Sequence, residues 1–403
     1  MVKTSPFILT FLMVVVGLIG CKQPEIKTDK FITVDVTASY PKKELILQDF
    51  MDVEYIPLET NDEFITAANM RAIGKDIMIF TNMRVTDGDI FIFDRKGKGL
   101  RKINRRGQGV GEYRNMQSVV LDEENDEMYV NSTYSQKIFV YDLLGNFKRS
   151  FGVKEDFTLS VMGNFDRDNL IYHDSYFITE NGRLVDKKRN CFLLVSKHDG
   201  RIVKEIPIPY EDKKSTIVFR KDANGKLVDD RGIHNRRLFP YRDSWILTEI
   251  SADTIYRYSP DHELIPFIIR TPSVQSMTPE VLLYPGIQTD RYYFMQAVKK
   301  EYDFSVPNSD FPRTELVYDR QENAIFECAV YNDDFTTKKT MNMVWEHPMF
   351  VFVNNEIAMM KKIDAYELVE ALEKGELKGK LKEIATTLDE ESNPVIMLAK
   401  YKK

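Results

Sequence analysis

The sequence predicts an all-β fold, a six-bladed β-propeller with a short α-helical insertion near the C-terminus. Short apolar or alternating runs bounded by Asp, Asn and Gly recur from about residue 50 to residue 360, the pattern of strands joined by tight turns. A turn of one kind returns every ~50–60 residues, and a period of that size built of strands points to radial repetition. Both chain ends also offer a strand, as closure of a ring requires.

The clearest unit runs through Glu127-Met128-Tyr129-Val130-Asn131, Lys137-Ile138-Phe139-Val140-Tyr141-Asp142 and Phe147-Lys148-Arg149-Ser150-Phe151. It reads as three antiparallel strands, the last two joined by a turn at Leu143-Leu144-Gly145-Asn146. Similar turns stand at Phe93-Asp94-Arg95-Lys96-Gly97 and Ser196-Lys197-His198-Asp199-Gly200, and more loosely at residues 258–262 and 318–322. A less regular unit near Met349-Phe350-Val351-Phe352-Val353 makes the sixth blade. Val53-Glu54-Tyr55-Ile56-Pro57-Leu58 and Val395-Ile396-Met397-Leu398-Ala399-Lys400-Tyr401 are the strands that share a blade and close the ring.

Between the sixth unit and the last strand, Leu368, Leu372, Leu377, Leu381, Ile384 and Leu388 recur at helical spacing. Asp364 followed by Glu367 resembles a capping box. Gly375 and Gly379 divide this insertion, about 364–390, into two short helices packed on the outside of the last blade.

The N-terminus holds one charge, Lys3, then an apolar run from Phe7 to Leu18 and the sequence Leu18-Ile19-Gly20-Cys21. That is the layout of a secretory signal. Such a run spans only about 18 Å as a helix, short of the roughly 30 Å hydrocarbon core. The domains expected are therefore a signal peptide over 1–20, Cys21 with a polar tether to residue 30, and the propeller over 31–403. Gly20-Cys21 resembles a bacterial lipobox, which implies acylation of Cys21 and attachment to a membrane through lipid.

The chain carries 56 Lys+Arg against 62 Asp+Glu, a net charge of −6. That balance argues against nucleic acid as a partner, since such binders carry a basic excess. Cys191 and Cys328 lie in strand-like runs of different repeats and are expected as two buried thiols.

At residues 103–113 the chain reads Ile103-Asn104-Arg105-Arg106-Gly107-Gln108-Gly109-Val110-Gly111-Glu112-Tyr113. This resembles the glycine-rich blade junction of NHL-type six-bladed propellers, and more closely that of a large group of six-bladed propeller lipoproteins of Bacteroidetes. The lipobox, the turns around Gly97 and Gly145, and the ending Asn393-Pro394-Val395-Ile396-Met397-Leu398 are similar to the same group. The resemblance implies an outer-membrane lipoprotein, because Lys22 is not an acidic retention signal. Lys22-Gln23-Pro24-Glu25 also lacks the acidic run associated with surface export, which favours the periplasmic face. Asp253-Thr254-Ile255 is similar to the acceptor of O-glycans on exported Bacteroidetes proteins, with Thr254 as the modified residue.

The glycine run is not a phosphate loop, since no Lys-Ser/Thr follows it and no helix opens behind it; a junction in which glycine supplies positive φ explains it. The histidines, His173, His198, His234, His262 and His347, are dispersed and form no local zinc motif. Neither a calcium loop nor a Gly-x-Ser-x-Gly elbow occurs. No cofactor is implied, and a monomer is the expected form. Loops on a rigid frame carry function, and the candidate loops are 105–114, the long stretch 211–242 and 271–290. Arg105, Arg106, Arg114, Arg236 and Arg237 in them can gather positive charge, with Tyr113, His234 and Tyr241 as stacking or hydrogen-bonding partners. The expectation is a scaffold or binding module for an envelope protein, peptide or glycan. The alternative is a propeller hydrolase or lactonase holding a metal at the axis with residues from separate blades.

Overall fold

The computed structural model describes residues 31–82, 87–152, 159–174, 178–180, 183–185, 190–344 and 356–402. Five sheets follow one another along the chain, each a four-stranded antiparallel meander: blade I over residues 69–104, II over 118–152, III over 159–206, IV over 238–271 and V over 281–331. Blade VI is assembled from both ends of the chain. Its strand Val395–Tyr401 lies between Ile357–Ile363 and the N-terminal strand β3 (Met51–Pro57), antiparallel to each. The chain is thus an all-β six-bladed propeller. The unit near 349–353 lies outside the described residues, as do Cys21 and its tether.

Two further N-terminal strands have no counterpart in the sequence reading. β1 (Ile32–Asp35) runs parallel to Leu264–Thr271 on the outer edge of blade IV, and β2 (Lys42–Ile46) runs parallel to Ala324–Tyr331 on that of blade V. A single-turn helix, α1 (Leu47–Phe50), then leads to β3. Two hairpins form separate two-stranded sheets, one in the segment between the second and third strands of blade III (Ile178–Glu180 with Arg183–Val185) and one before blade IV (Ile217–Lys221 with Leu227–Gly232).

Strand composition follows from stacking. Middle strands are buried on both faces and read as continuous apolar runs, such as Ile90-Phe91-Ile92-Phe93 and Leu193-Leu194-Val195. Fourth strands are wet on one side, and Gly99–Asn104 and Phe147–Gly152 are mostly exposed. Successive residues face opposite sides, so one strand feeds two cores: Ile79 packs with Met128 and Tyr141 of blade II, while Met78 and Phe80 pack with Ile396 and Leu398 of blade VI. Each adjacent pair of blades shares such a cluster, including the pair that joins VI to I. All these clusters fall within residues 31–403, which carry their own core.

The recurring turns each join the third strand of a blade to the fourth. In blades I and II, Asp94 and Asp142 accept two backbone N–H groups each, at 2.8–2.9 Å, and Gly97 and Gly145 take positive φ. The later turns look irregular in sequence because His262 and Asn323 fill the left-handed position.

In the glycine run only part of the expected logic holds. Gly111 has φ +77, but Gly107 has no such φ; a Cβ there would strike the Glu112 carboxylate at 1.9 Å. The capping box is not formed either. Asp364 precedes α2 (Ala365–Glu373), yet its carboxylate pairs with Lys362 at 2.8 Å rather than with a helix amide. α2 and α3 (Gly379–Ala385) do not sit merely outside the last blade. Leu368, Leu381 and Ile384 share a core with Phe294 and Val317 of blade V and with Met397 and Val395 of blade VI. Among the described residues neither body cysteine forms a disulfide; Cys191 is buried in blade III, whereas Cys328 in blade V is half-buried rather than enclosed.

Asn393 ties the C-terminal strand to the stretch after β3. Its Nδ2 donates to the carbonyls of Glu59 and Phe64, its Oδ1 accepts from Thr66 N–H at 2.9 Å, and its N–H reaches Thr60 Oγ1 at 2.8 Å. Asn393→Ala would strand two buried backbone groups, the Thr66 N–H and the Phe64 carbonyl, besides the part-buried Glu59 carbonyl, and lower stability by about 2–4 kcal/mol. Denaturant titration against the exposed Glu391→Ala, expected within about 0.5 kcal/mol of wild type, checks this.

Candidate functional site

In each four-stranded blade, the connection onward to the next blade and the turn between second and third strands emerge at one end, opposite to the turn between first and second strands. The residues singled out in the sequence divide between several environments. Arg105, Arg106 and Arg114 are exposed at the I–II junction, where Arg105 Nε donates to Gly145 O at 3.0 Å. Tyr113 belongs to the I–II core; its hydroxyl donates to Gly88 O at 2.7 Å and accepts from Arg105 N–H, and burial pushes its pKa up to about 12. Tyr241 is buried between blades IV and V beside Phe267 and Tyr293. Thr254 is half-buried and paired with Ile269, and the neighbouring Asp253 accepts Val274 N–H at 2.7 Å.

His234 is exposed, but Arg236 and Arg237 lead into a charged interior. Arg236 is 2% exposed near Phe239, Gln288 and Tyr401, and burial lowers its pKa to about 9. Arg237 is half-buried and acts on a network that sequence reasoning missed. Lys213, from the connection between blades III and IV, bonds Glu249 of blade IV at 2.8 Å and approaches Cys191 Sγ at 3.4 Å. Burial opposes ionisation of Glu249, yet Lys213 and Arg237 outweigh it and hold the carboxyl down to about 2. Burial, then Arg237, keeps His173 well below the usual imidazole range, and burial pushes the Cys191 thiol up to about 11. Next to this, Arg313 donates to Gln296 Oε1 at 2.7 Å, and Gln296 donates to Glu315 at 2.5 Å. The arrangement links blades III, IV and V through charged and polar side chains.

Another concavity lies at the other end. A cleft of about 350 Å³ is lined by the ends of the first strands of blades I–IV, with Arg71 at its inner part and Phe165, Arg242, Asp243 and Trp245 on its walls. Arg71 is 3% exposed, donates to Thr81 Oγ1 at 2.6 Å, and has its pKa lowered to about 10 by burial. Glu123 accepts the N–H groups of Lys75 and Asp76, joining blade II to blade I, and Arg242 pairs with Asp290 of blade V. The sequence signal for Arg71 was a charge inside an apolar run, Met70-Arg71-Ala72-Ile73. Among the described residues, no group of three or more His, Cys, Asp and Glu side chains is placed to hold a metal ion, and no helix is long and apolar enough to cross a membrane.

A family model described as a domain of unknown function, DUF4934, matches residues 31–400. The chain belongs to the DUF4934 family. Among curated proteins none matches it. Among solved structures, a protein of Bacteroides fragilis described as exported superposes with a TM-score of 0.61 at 14% identity, covering 93% of this chain and all of its own. A DUF4221 family member from Bacteroides vulgatus gives a TM-score of 0.46 at 10% identity over 88% of this chain and 99% of its own. The first likeness shows a shared propeller fold.

For this DUF4934 propeller, Lys213→Met would leave Glu249 buried without its ammonium and cost about 3–5 kcal/mol, while Lys213→Met with Glu249→Leu would recover most of it. Glu249 has a folded pKa below its ordinary 4.5, so its contribution is present above that value and lost as pH falls toward about 2. Acid titration of stability should flatten over that window in Glu249→Gln by about one proton.

Proposed function

We propose that the chain is an envelope lipoprotein, acylated on Cys21 and anchored at the outer membrane on its periplasmic face, whose propeller binds a glycan terminus in the axial cleft. The observation that supports this reading is the cleft itself, whose walls come from four sheets. Trp245, 6% exposed, and the half-buried Phe165 give the cleft an apolar edge for the C–H side of a sugar, and Arg71, Asp243, Arg242 and Glu124 offer donors and acceptors for its hydroxyls. The exposed Arg105, Arg106 and Arg114 remain available to an envelope partner, with His234 near the buried pair at the far end. The NHL-like reading of the glycine run concerns the blade junction and adds nothing to the ligand.

Residues 31–403 should retain defined oligosaccharides on an array that also displays peptides. Arg242→Ala with Asp243→Ala, both exposed, should weaken the best signal at least tenfold, about 1.4 kcal/mol. Signals on peptides alone, or signals untouched by that double substitution, would refute the glycan reading. Separately, Cys21→Ser should move the protein from the membrane fraction to the soluble fraction; retention in membranes would refute the lipid anchor.

A further inference from the structure

The strand Ile357–Ile363 alternates between two cores. Met359 and Ile363 face the one shared by blades V and VI, at 5% and 6% exposure. Lys361 stands between them on the same face. Its side chain is exposed yet lines a concavity beside that core, where an anionic partner would form a charge-assisted hydrogen bond with it. The structure supplies none: among the described residues neither Lys361 nor Lys339, which faces the same concavity, forms an ion pair.

That concavity holds about 240 Å³ between α2, the end of blade V and the Ile357–Ile363 strand. Phe335, Met341, Leu368 and Met397 give it an apolar floor. At ~30 Å³ per water-sized group it admits roughly eight such groups. The remaining charges stand at its rim. Lys374 is engaged by Glu370 at 2.5 Å, and Glu367 and Glu376 complete the edge. Burial, then the Lys339 ammonium, disfavours the charge on Lys361, and Glu367 offsets only part of this.

We propose that this pocket binds a medium-chain carboxylic acid, with its carboxylate between Lys339 and Lys361 and its chain on Phe335, Met341, Leu368 and Met397. A carboxylate would relieve the repulsion between the two amines and form charge-assisted hydrogen bonds with both. The chain would cover an apolar floor that water solvates poorly. This site is separate from the axial cleft, so it stands or falls independently of the glycan reading.

The test titrates residues 31–403 with octanoate and, in parallel, with 1-octanol by isothermal calorimetry. Octanoate should bind one saturable site at least tenfold more tightly than the alcohol. Lys339→Ala and Lys361→Met should each weaken octanoate about tenfold and leave the alcohol unchanged. Equal affinity for acid and alcohol, absence of octanoate binding, or octanoate binding that survives both substitutions would overturn the proposal. Lys339 and Lys361 are both exposed, so both variants keep the fold, and Lys339→Ala decides the matter by itself if the other does not.

Discussion

The constraint on which the structure depends is that no blade can bury both faces alone. Each sheet presents apolar residues on two sides, and each side is covered only by the next sheet around the ring. Blade VI meets this requirement by recruiting β3 beside the C-terminal strand, which lets Ile396 and Leu398 pack on Phe80 and Phe93 of blade I. The cleft is a by-product of that closure. Its walls belong to four sheets that would otherwise have no reason to converge.

Buried charges are arranged by the same logic, since their partners come from different segments. Lys197 of blade III reaches Asp122 of blade II at 2.5 Å, both almost fully buried. Lys43 of β2 and Arg291 share Asp319, whose carboxyl burial would raise but which their hydrogen bonds hold well below the usual range. Replacing such pairs by apolar residues can leave total stability unchanged. What the ions add is that a strand in the wrong place leaves a charge unpaired, which penalises misordered blades.

Local chemistry was legible in the sequence and distant pairing was not. The turns at Asp94 and Asp142 are set by an aspartate and a glycine a few residues apart, so a linear reading finds them, and the strands Glu127–Ser132, Lys137–Asp142 and Phe147–Gly152 extend the read segments by at most one residue. β1 and β2 went unread because strands laid on an outer edge need no turn and little alternation; their partners lie far along the chain. Arginines were sought in loops, where Arg105 and Arg106 do lie. Some interior charges sat instead in apolar runs, as in Leu247-Thr248-Glu249-Ile250, while Arg236 and Lys213 reached the interior from the loop before blade IV.

The placement of β1, β2 and β3 has a consequence for the order of events during synthesis. These segments leave the ribosome before their partners, so Ile32 must wait for Ile268, Leu45 for Val330 and Tyr55 for Met397. Contacts so distant in sequence form slowly, because closing a long loop must precede any gain. The last of these pairings, that of β3, therefore waits until nearly all of residues 31–403 have been made. A polypeptide of this design remains threadable through a narrow pore for as long as its tail is missing.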